Sequence, residues 1–103
     1  MRSIIPNDEK GVCHWCGRIC ETHKHHIFCG ANRKWSEKYG IYIHLCPEHH
    51  NMSDQGIHFN RDMMESYHRL GQYQFEVEYS RKHNCDSSQA RTEFMRIFGR
   101  NYL

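Results

Sequence analysis

The sequence predicts an α+β fold: a zinc-stapled strand–loop–strand–helix core followed by C-terminal helices. Three observations predict it. Cys13-His-Trp-Cys16 and Cys46-Pro-Glu-His49 repeat one spacing, C-x-x-C and C-x-x-H, as in a metal knuckle closed from two sides. Residues 18–28 and 41–45 alternate like half-buried strands around a polar, glycine-bounded loop. From Asn60 onward, apolar residues recur at helical spacing.

The totals fit this plan. A chain of 103 residues is one small domain, with the core at about 11–60 and the helical extension at about 61–99. Hydrophobic residues make up 38% and mean hydropathy is −0.91, so the interior is thin and a metal would supplement it. Of the six cysteines, Cys13, Cys16 and Cys46 follow metal spacing rather than a disulfide framework, which predicts a reducing, cytoplasmic setting. No N-terminal apolar run resembles a secretion signal, and no stretch is long enough to span a bilayer, so no membrane partner is expected. The net charge of +2 leaves a nucleic-acid partner unrevealed, but Arg33, Lys34 and Lys38 cluster close to histidines, of which the chain has ten.

Residues 1–10 read as an irregular lead-in with a turn at Pro6-Asn7-Asp8 and no functional signal. Cys13 and Cys16 form the first half of the knuckle, with Gly17 suited to the sharp turn. Cys46 and His49 complete a tetrahedral Cys₃His zinc set. A local set of Cys13, Cys16, Cys20 and His23 would leave Cys46 and His49 unexplained. In the strand at 18–28, His25 and His26 point to opposite faces. The loop at 29–40 carries a helical turn at Arg33–Tyr39, where Arg33 and Lys34 can hold phosphates and Trp35 packs or stacks. In the second strand Ile41, Ile43 and Leu45 face inward, and Pro47 opens a helix running to about Asp54. On that helix His49 and His50 lie about 100° apart and can serve two different metals. Gln55-Gly56 breaks it, and Asn60 caps a helix over 61–83 with Met64, Tyr67, Gly71, Phe75 and Glu78 in phase. Asp86 and Gln89 form a capping-box variant for a last helix that Gly99 stops. Cys29 and Cys85 have no partner by spacing and read as free thiols.

His25 to Gly40 reads H-H-I-F-C-G-A-N-R-K-W-S-E-K-Y-G; Leu45 to His50 reads L-C-P-E-H-H; Gly56 to Asn60 reads G-I-H-F-N. Together with the zinc set, these segments resemble the HNH endonucleases, the ββα-metal or His-Me finger nucleases, and most closely the small HNH proteins of phages and prophages. The resemblance is firm from Val12 to Asn60 and loose over the helices. It implies a DNA-cleaving hydrolase in a bacterial or phage-infected cell, with a structural Zn²⁺ and a catalytic divalent cation such as Mg²⁺ or Mn²⁺. It also implies residue roles: His25 and His50 as cation ligands, His26 as general base, and Cys13, Cys16, Cys46 and His49 as the zinc set. The chain departs from the family at one point. The family's middle Asn stands five positions before the third zinc ligand, and Ile41 occupies that position here. Asn32, the loop's one asparagine, or backbone carbonyls would then have to replace it.

A divalent cation suits phosphodiester hydrolysis because it neutralises the anion and stabilises the leaving oxygen. His25 and His50 leave coordination positions open, His58 offers a third ligand, and a neutral His26 can take the proton of the attacking water. The competing expectation is a non-catalytic, zinc-stapled nucleic-acid-binding or interaction module. The missing Asn favours it, whereas His25, His26 and His50 together oppose it, since a purely structural fold needs none of them.

Overall fold

Alternating side chains on two short segments separated by a polar loop build an antiparallel hairpin. In the computed structural model, which describes residues 2–52 and 56–103, β1 (His23–His26) pairs with β2 (Tyr42–Leu45) in the register His25↔Ile43 and His26↔Tyr42. Between them lie a 3₁₀ turn (Gly30–Asn32) and α1 (Arg33–Tyr39). After β2 come a single π-helical turn (Glu48–Met52) and a 3₁₀ turn (Ile57–Phe59), then α2 (Arg61–His83) and α3 (Ser87–Phe98). The architecture is α+β, with a two-stranded sheet and several helices.

The first strand is shorter than the alternation at 18–28 predicts. Residues 18–22 pair with the chain just before the knuckle instead. Val12 bridges Ile19, Cys20 N–H donates to the Gly11 carbonyl at 3.0 Å, and Gly11 N–H donates to Thr22 Oγ1 at 3.0 Å. Alternation marks an extended chain without naming its partner, so one extended run serves two pairings. The predicted helix at 47–54 is another difference. Its described part is a π turn in which His49 and His50 N–H both donate to the Cys46 carbonyl, at 3.1 and 3.0 Å. The predicted helix end at Asp54 and the break at Gln55 lie outside the described residues.

The helices follow their caps. Asn60 accepts from Met63 N–H at 3.1 Å, Asp86 and Gln89 form a reciprocal capping box, and Gly99 closes α3 at φ 81°. The buried stripe of α2 is Met63, Tyr67, Gly71 and Phe75, one residue out of phase at its start from the predicted Met64. Gln72 and Glu76 are also buried on this helix. Gln72 donates to Glu76 and Asn101 and accepts from Tyr102 N–H, and Arg91 donates to Glu76, so the tail is pinned back and these polar groups are satisfied.

The core is Ile27, Phe28, Ile41, Ile43 and Leu45 of the hairpin region, packed against α2 and against Phe94 and Phe98 of α3. Gly71 is where α2 meets the hairpin most closely. A Cβ there would stand 3.0–3.1 Å from the side chains of Ile41, Ile27 and Phe28. Gly→Ala inside a helix ordinarily gains about 1 kcal/mol. Here overpacking, which costs about 1–3 kcal/mol, opposes that gain. Gly71→Ala is therefore expected to lower the melting temperature, which thermal denaturation followed by circular dichroism measures; a raised melting temperature would show that the interface yields freely.

The lead-in is more than a tail. Ile4 N–H donates to the Gly40 carbonyl at 2.8 Å, and Asp8 holds β2 through both His44 N–H and His44 Nδ1, each at 2.7 Å. Gly40 ends α1 at φ 73°, and a Cβ there would lie 2.8 Å from the Arg2 carbonyl. Among the described residues, no helix is long and apolar enough to cross a membrane.

Candidate metal centres

The first centre is built where the knuckle docks on the end of β2. Cys13 N–H donates to the Arg18 carbonyl at 2.9 Å and Gly17 N–H to the Cys13 carbonyl at 2.8 Å, which closes the turn carrying Cys13 and Cys16. His14 N–H donates to the His44 carbonyl at 2.8 Å and brings that turn onto β2, beside Cys46. The donor atoms of Cys13, Cys16, Cys46 and His49 all lie within 4.8 Å of one another. Cys16 Sγ and Cys46 Sγ are 4.0 Å apart, and His49 Nδ1 is 3.9 Å from Cys13 Sγ and 3.2 Å from Cys46 Sγ. The edges of a tetrahedral sulfur site with bonds of about 2.3 Å are about 3.8 Å. Three sulfurs and one nitrogen therefore already stand close to a four-coordinate arrangement. The local alternative fails, because Cys20 and His23 lie outside the set.

Electrostatics point the same way. Burial raises the Cys13 thiol, but N–H groups of Cys46, Cys16 and Trp15 converge on it and bring its pKa down to about 6. Burial and the neighbouring sulfurs of Cys13 and Cys16 push Cys46 up to about 11. Crowded sulfurs resist ionising together unless a cation sits among them. All six cysteines are free of disulfides.

The second centre begins one residue further on. The π turn sends His49 back to the cysteines while His50 meets His25 from β1 and His58 from the following 3₁₀ turn. Ligand nitrogens of these three histidines also fall within 4.8 Å of one another. Ring centroids are 5.0–5.4 Å apart, and His50 Nε2 lies 3.3 Å from His58 Nε2. Neighbouring ligands on a cation with bonds of about 2.0–2.1 Å stand roughly 3.0–3.4 Å apart. His25 is buried and His58 exposed, so the cluster reaches from the core to solvent.

Burial, then the positive charge that His58 and His50 would carry, lowers the pKa of His25 to about 3. Burial, then His58 and His23, lowers that of His50 to about 4. Neutral imidazoles keep lone pairs for a cation. Both values lie below the ~6.5 of an ordinary histidine, so the unfolded chain binds more protons as pH falls through this window. The stability these histidines contribute is present above about pH 6.5 and is lost as pH falls toward 4. With one equivalent of zinc and no other cation, the wild type should lose melting temperature faster between pH 7 and pH 4.5 than His25→Gln does. Coincident pH slopes in calorimetry would show that His25 is not held neutral.

Two residues near this centre make contacts that the sequence does not predict, although His23 is a member of the local alternative set. His23, on the same strand face as His25, places Nδ1 3.0 Å from His50 Nδ1. Period-two alternation puts it on that face, but its reach to His50 depends on the π turn. Glu37 of α1 meets His26 on the other face, its Oε2 2.6 Å from His26 Nε2. Lys24 Nζ donates to the same carboxylate at 3.2 and 3.4 Å. Hydrogen bonds from His26 and Lys24 hold the Glu37 carboxyl below the usual carboxylate range. Eleven positions separate Glu37 from His26, so only the docking of α1 brings them together.

That face opens into a groove of ≈ 760 Å³ lined by Lys24, His26, Arg33, Lys34 and Glu37 among others. Arg33 and Lys34 are both exposed on it. Trp35 is half-buried against the core, with Lys34 Nζ 5.0 Å from its ring centroid. Ile41, at the position of the expected asparagine, is fully buried. Asn32 donates to the Phe98 carbonyl at 3.1 Å, so it braces the loop against α3 rather than orienting a histidine. Comparison with protein-family models, curated proteins and solved structures finds no match to this chain.

Proposed function

We propose that this chain is a metal-dependent endonuclease of the HNH, ββα-metal type that hydrolyses DNA phosphodiester bonds. One observation carries the reading: a Cys₃His set and a His₃ set stand back to back through the adjacent residues His49 and His50. Nothing in a merely stapled fold requires the second set, or a hydrogen-bonded histidine on the opposite face of the same strand.

Under this reading Cys13, Cys16, Cys46 and His49 hold a structural Zn²⁺, and His25, His50 and His58 hold a divalent cation such as Mg²⁺ or Mn²⁺. When bound, that cation supplies charge neutralisation at the phosphate and stabilises the leaving oxygen. The chain's own groups do the rest. His26 removes a proton from the attacking water, and Arg33 and Lys34 hold the DNA backbone in the groove. The three histidines orient their ligand, and His25 and His50 do so with pKa values held down by burial. Three histidine nitrogens leave open the positions that a hydrolytic cation needs.

The buried Ile41 favours a second reading, a stapled nucleic-acid-binding module without catalysis. Incubating zinc-loaded protein with supercoiled plasmid in Mg²⁺ or Mn²⁺ separates the two. Nicked or linear product is expected; intact plasmid under every divalent cation would leave the module.

A further inference from the structure

We infer that Glu37 is the positioning residue for His26, fixing the imidazole as its Nε2–H tautomer and leaving Nδ1 as the proton-accepting nitrogen. The inference rests on the nuclease reading for what that nitrogen accepts, but not for the tautomer.

The chemistry of the pair sets the proton's place. Glu37 is held in its ionised form, so its oxygens only accept hydrogen bonds. The 2.6 Å contact from His26 Nε2 to Glu37 Oε2 therefore needs the hydrogen on Nε2. In a neutral ring Nδ1 is then bare, and among the described residues none hydrogen-bonds to it. A carboxylate behind a histidine fixes the tautomer and raises its basicity, whether the ring serves a metal or a proton.

The fold holds Glu37 for this purpose. The preceding residue, Ser36, is fully buried, and its hydroxyl donates to the Phe28 carbonyl at 2.9 Å and accepts from Phe28 N–H at 3.0 Å. That exchange rivets α1 to the chain just after β1, two residues beyond His26. Gly40, left-handed against the Arg2 carbonyl, fixes the other end of the helix. Lys24, from the same strand face as His26, grips the second side of the carboxylate. Glu37 thus arrives with its rotamer limited by two partners. Ile41 has no polar side chain to offer His26, and Asn32 is engaged with the Phe98 carbonyl, whereas Glu37 meets the ring directly.

The charge of Glu37 separates this role from DNA contact. A carboxylate in a groove lined by Lys24, Arg33 and Lys34 repels phosphate. Removing it should leave DNA binding unchanged or tighter, so a slower reaction could not be blamed on lost affinity.

The test uses zinc-loaded full-length protein, with Glu37→Ala and Glu37→Gln in both wild-type and His26→Ala backgrounds. Glu37→Ala should slow single-turnover plasmid nicking about 10–100-fold, the usual cost of losing such a partner. KM for DNA should not rise. Glu37→Gln, whose amide oxygen still accepts from Nε2–H, should recover part of the rate. In the His26→Ala background neither substitution should slow the reaction further, because the pair acts as one unit. Nitrogen-15 NMR of histidine-labelled protein should show His26 as the Nε2–H tautomer, with Nδ1–H gaining population in Glu37→Ala. Wild-type cleavage by Glu37→Ala, or additive losses in the double variants, would overturn the assignment. If wild-type protein nicks no plasmid, the nuclease reading falls, while the tautomer shift in the same labelled sample still decides the role of Glu37. An unchanged tautomer would end it.

Discussion

Cys46→Ser is expected to leave a chain that does not fold around its hairpin. Cys46 is fully buried at the junction of β2 and the π turn, and its sulfur faces Cys16 Sγ and His49 Nδ1. It therefore ties three segments together: the knuckle, the strand end and the histidine turn. Structural zinc contributes roughly 10–16 kcal/mol in zinc-finger peptides at neutral pH. Typical domains have a total stability of only about 5–15 kcal/mol. Removing the ion's grip should therefore cost more than a thin core can supply. Cys13→Ser should behave alike, since Cys13 is also buried in the set. Elemental analysis of pure wild-type protein should find about one tightly bound zinc per chain by this ligand count, and circular dichroism of the variants should show a lost cooperative transition. A cooperative melt in Cys46→Ser, or wild type without bound zinc, would remove the staple from the account.

The other large effect is on rate. His26→Ala should keep the fold, the zinc and the affinity for Mn²⁺, because His26 faces away from the His25 cluster and belongs to neither set of donors. Plasmid cleavage should nonetheless fall by about 10²–10⁴-fold, the usual worth of a general base. His25→Ala should separate from it by losing Mn²⁺ affinity together with cleavage. Measuring Mn²⁺ binding and single-turnover cleavage on both variants gives the comparison. Cleavage by His26→Ala at the wild-type rate would move the base to another residue.

What the sequence made legible was mostly local. Asn60, Asp86 with Gln89, and Gly99 mark the ends of α2 and α3 because capping is a matter of a few neighbouring residues. The paired C-x-x-C and C-x-x-H spacing points to the four donors that the structure brings together, because knuckle geometry is short-range too. Period-two alternation puts His25 and His26 on opposite faces. What stayed hidden depends on packing between distant segments. The outer half of the predicted strand pairs with the chain before the knuckle, a choice that alternation does not encode. Asp8 meets His44, and Glu37 meets His26, only after the lead-in and α1 have docked. The π turn was hidden for another reason. Pro47 permits an ordinary helix equally well, and in either kind of turn the adjacent His49 and His50 point in different directions, here to two centres.

That division has a consequence for assembly. A peptide bond is nearly rigid, so an ion that captures His49 also removes most of the orientational freedom of His50. The entropy of ordering the turn would be lost once, at the first loading event, and the second ion would meet a histidine already in place. Binding at the two centres would then be cooperative, and by reciprocity a cation held by His25, His50 and His58 would tighten binding of an ion at the Cys₃His set. If both centres take ions as proposed, filling either one would favour filling the other, and a chelator that strips one would loosen the other.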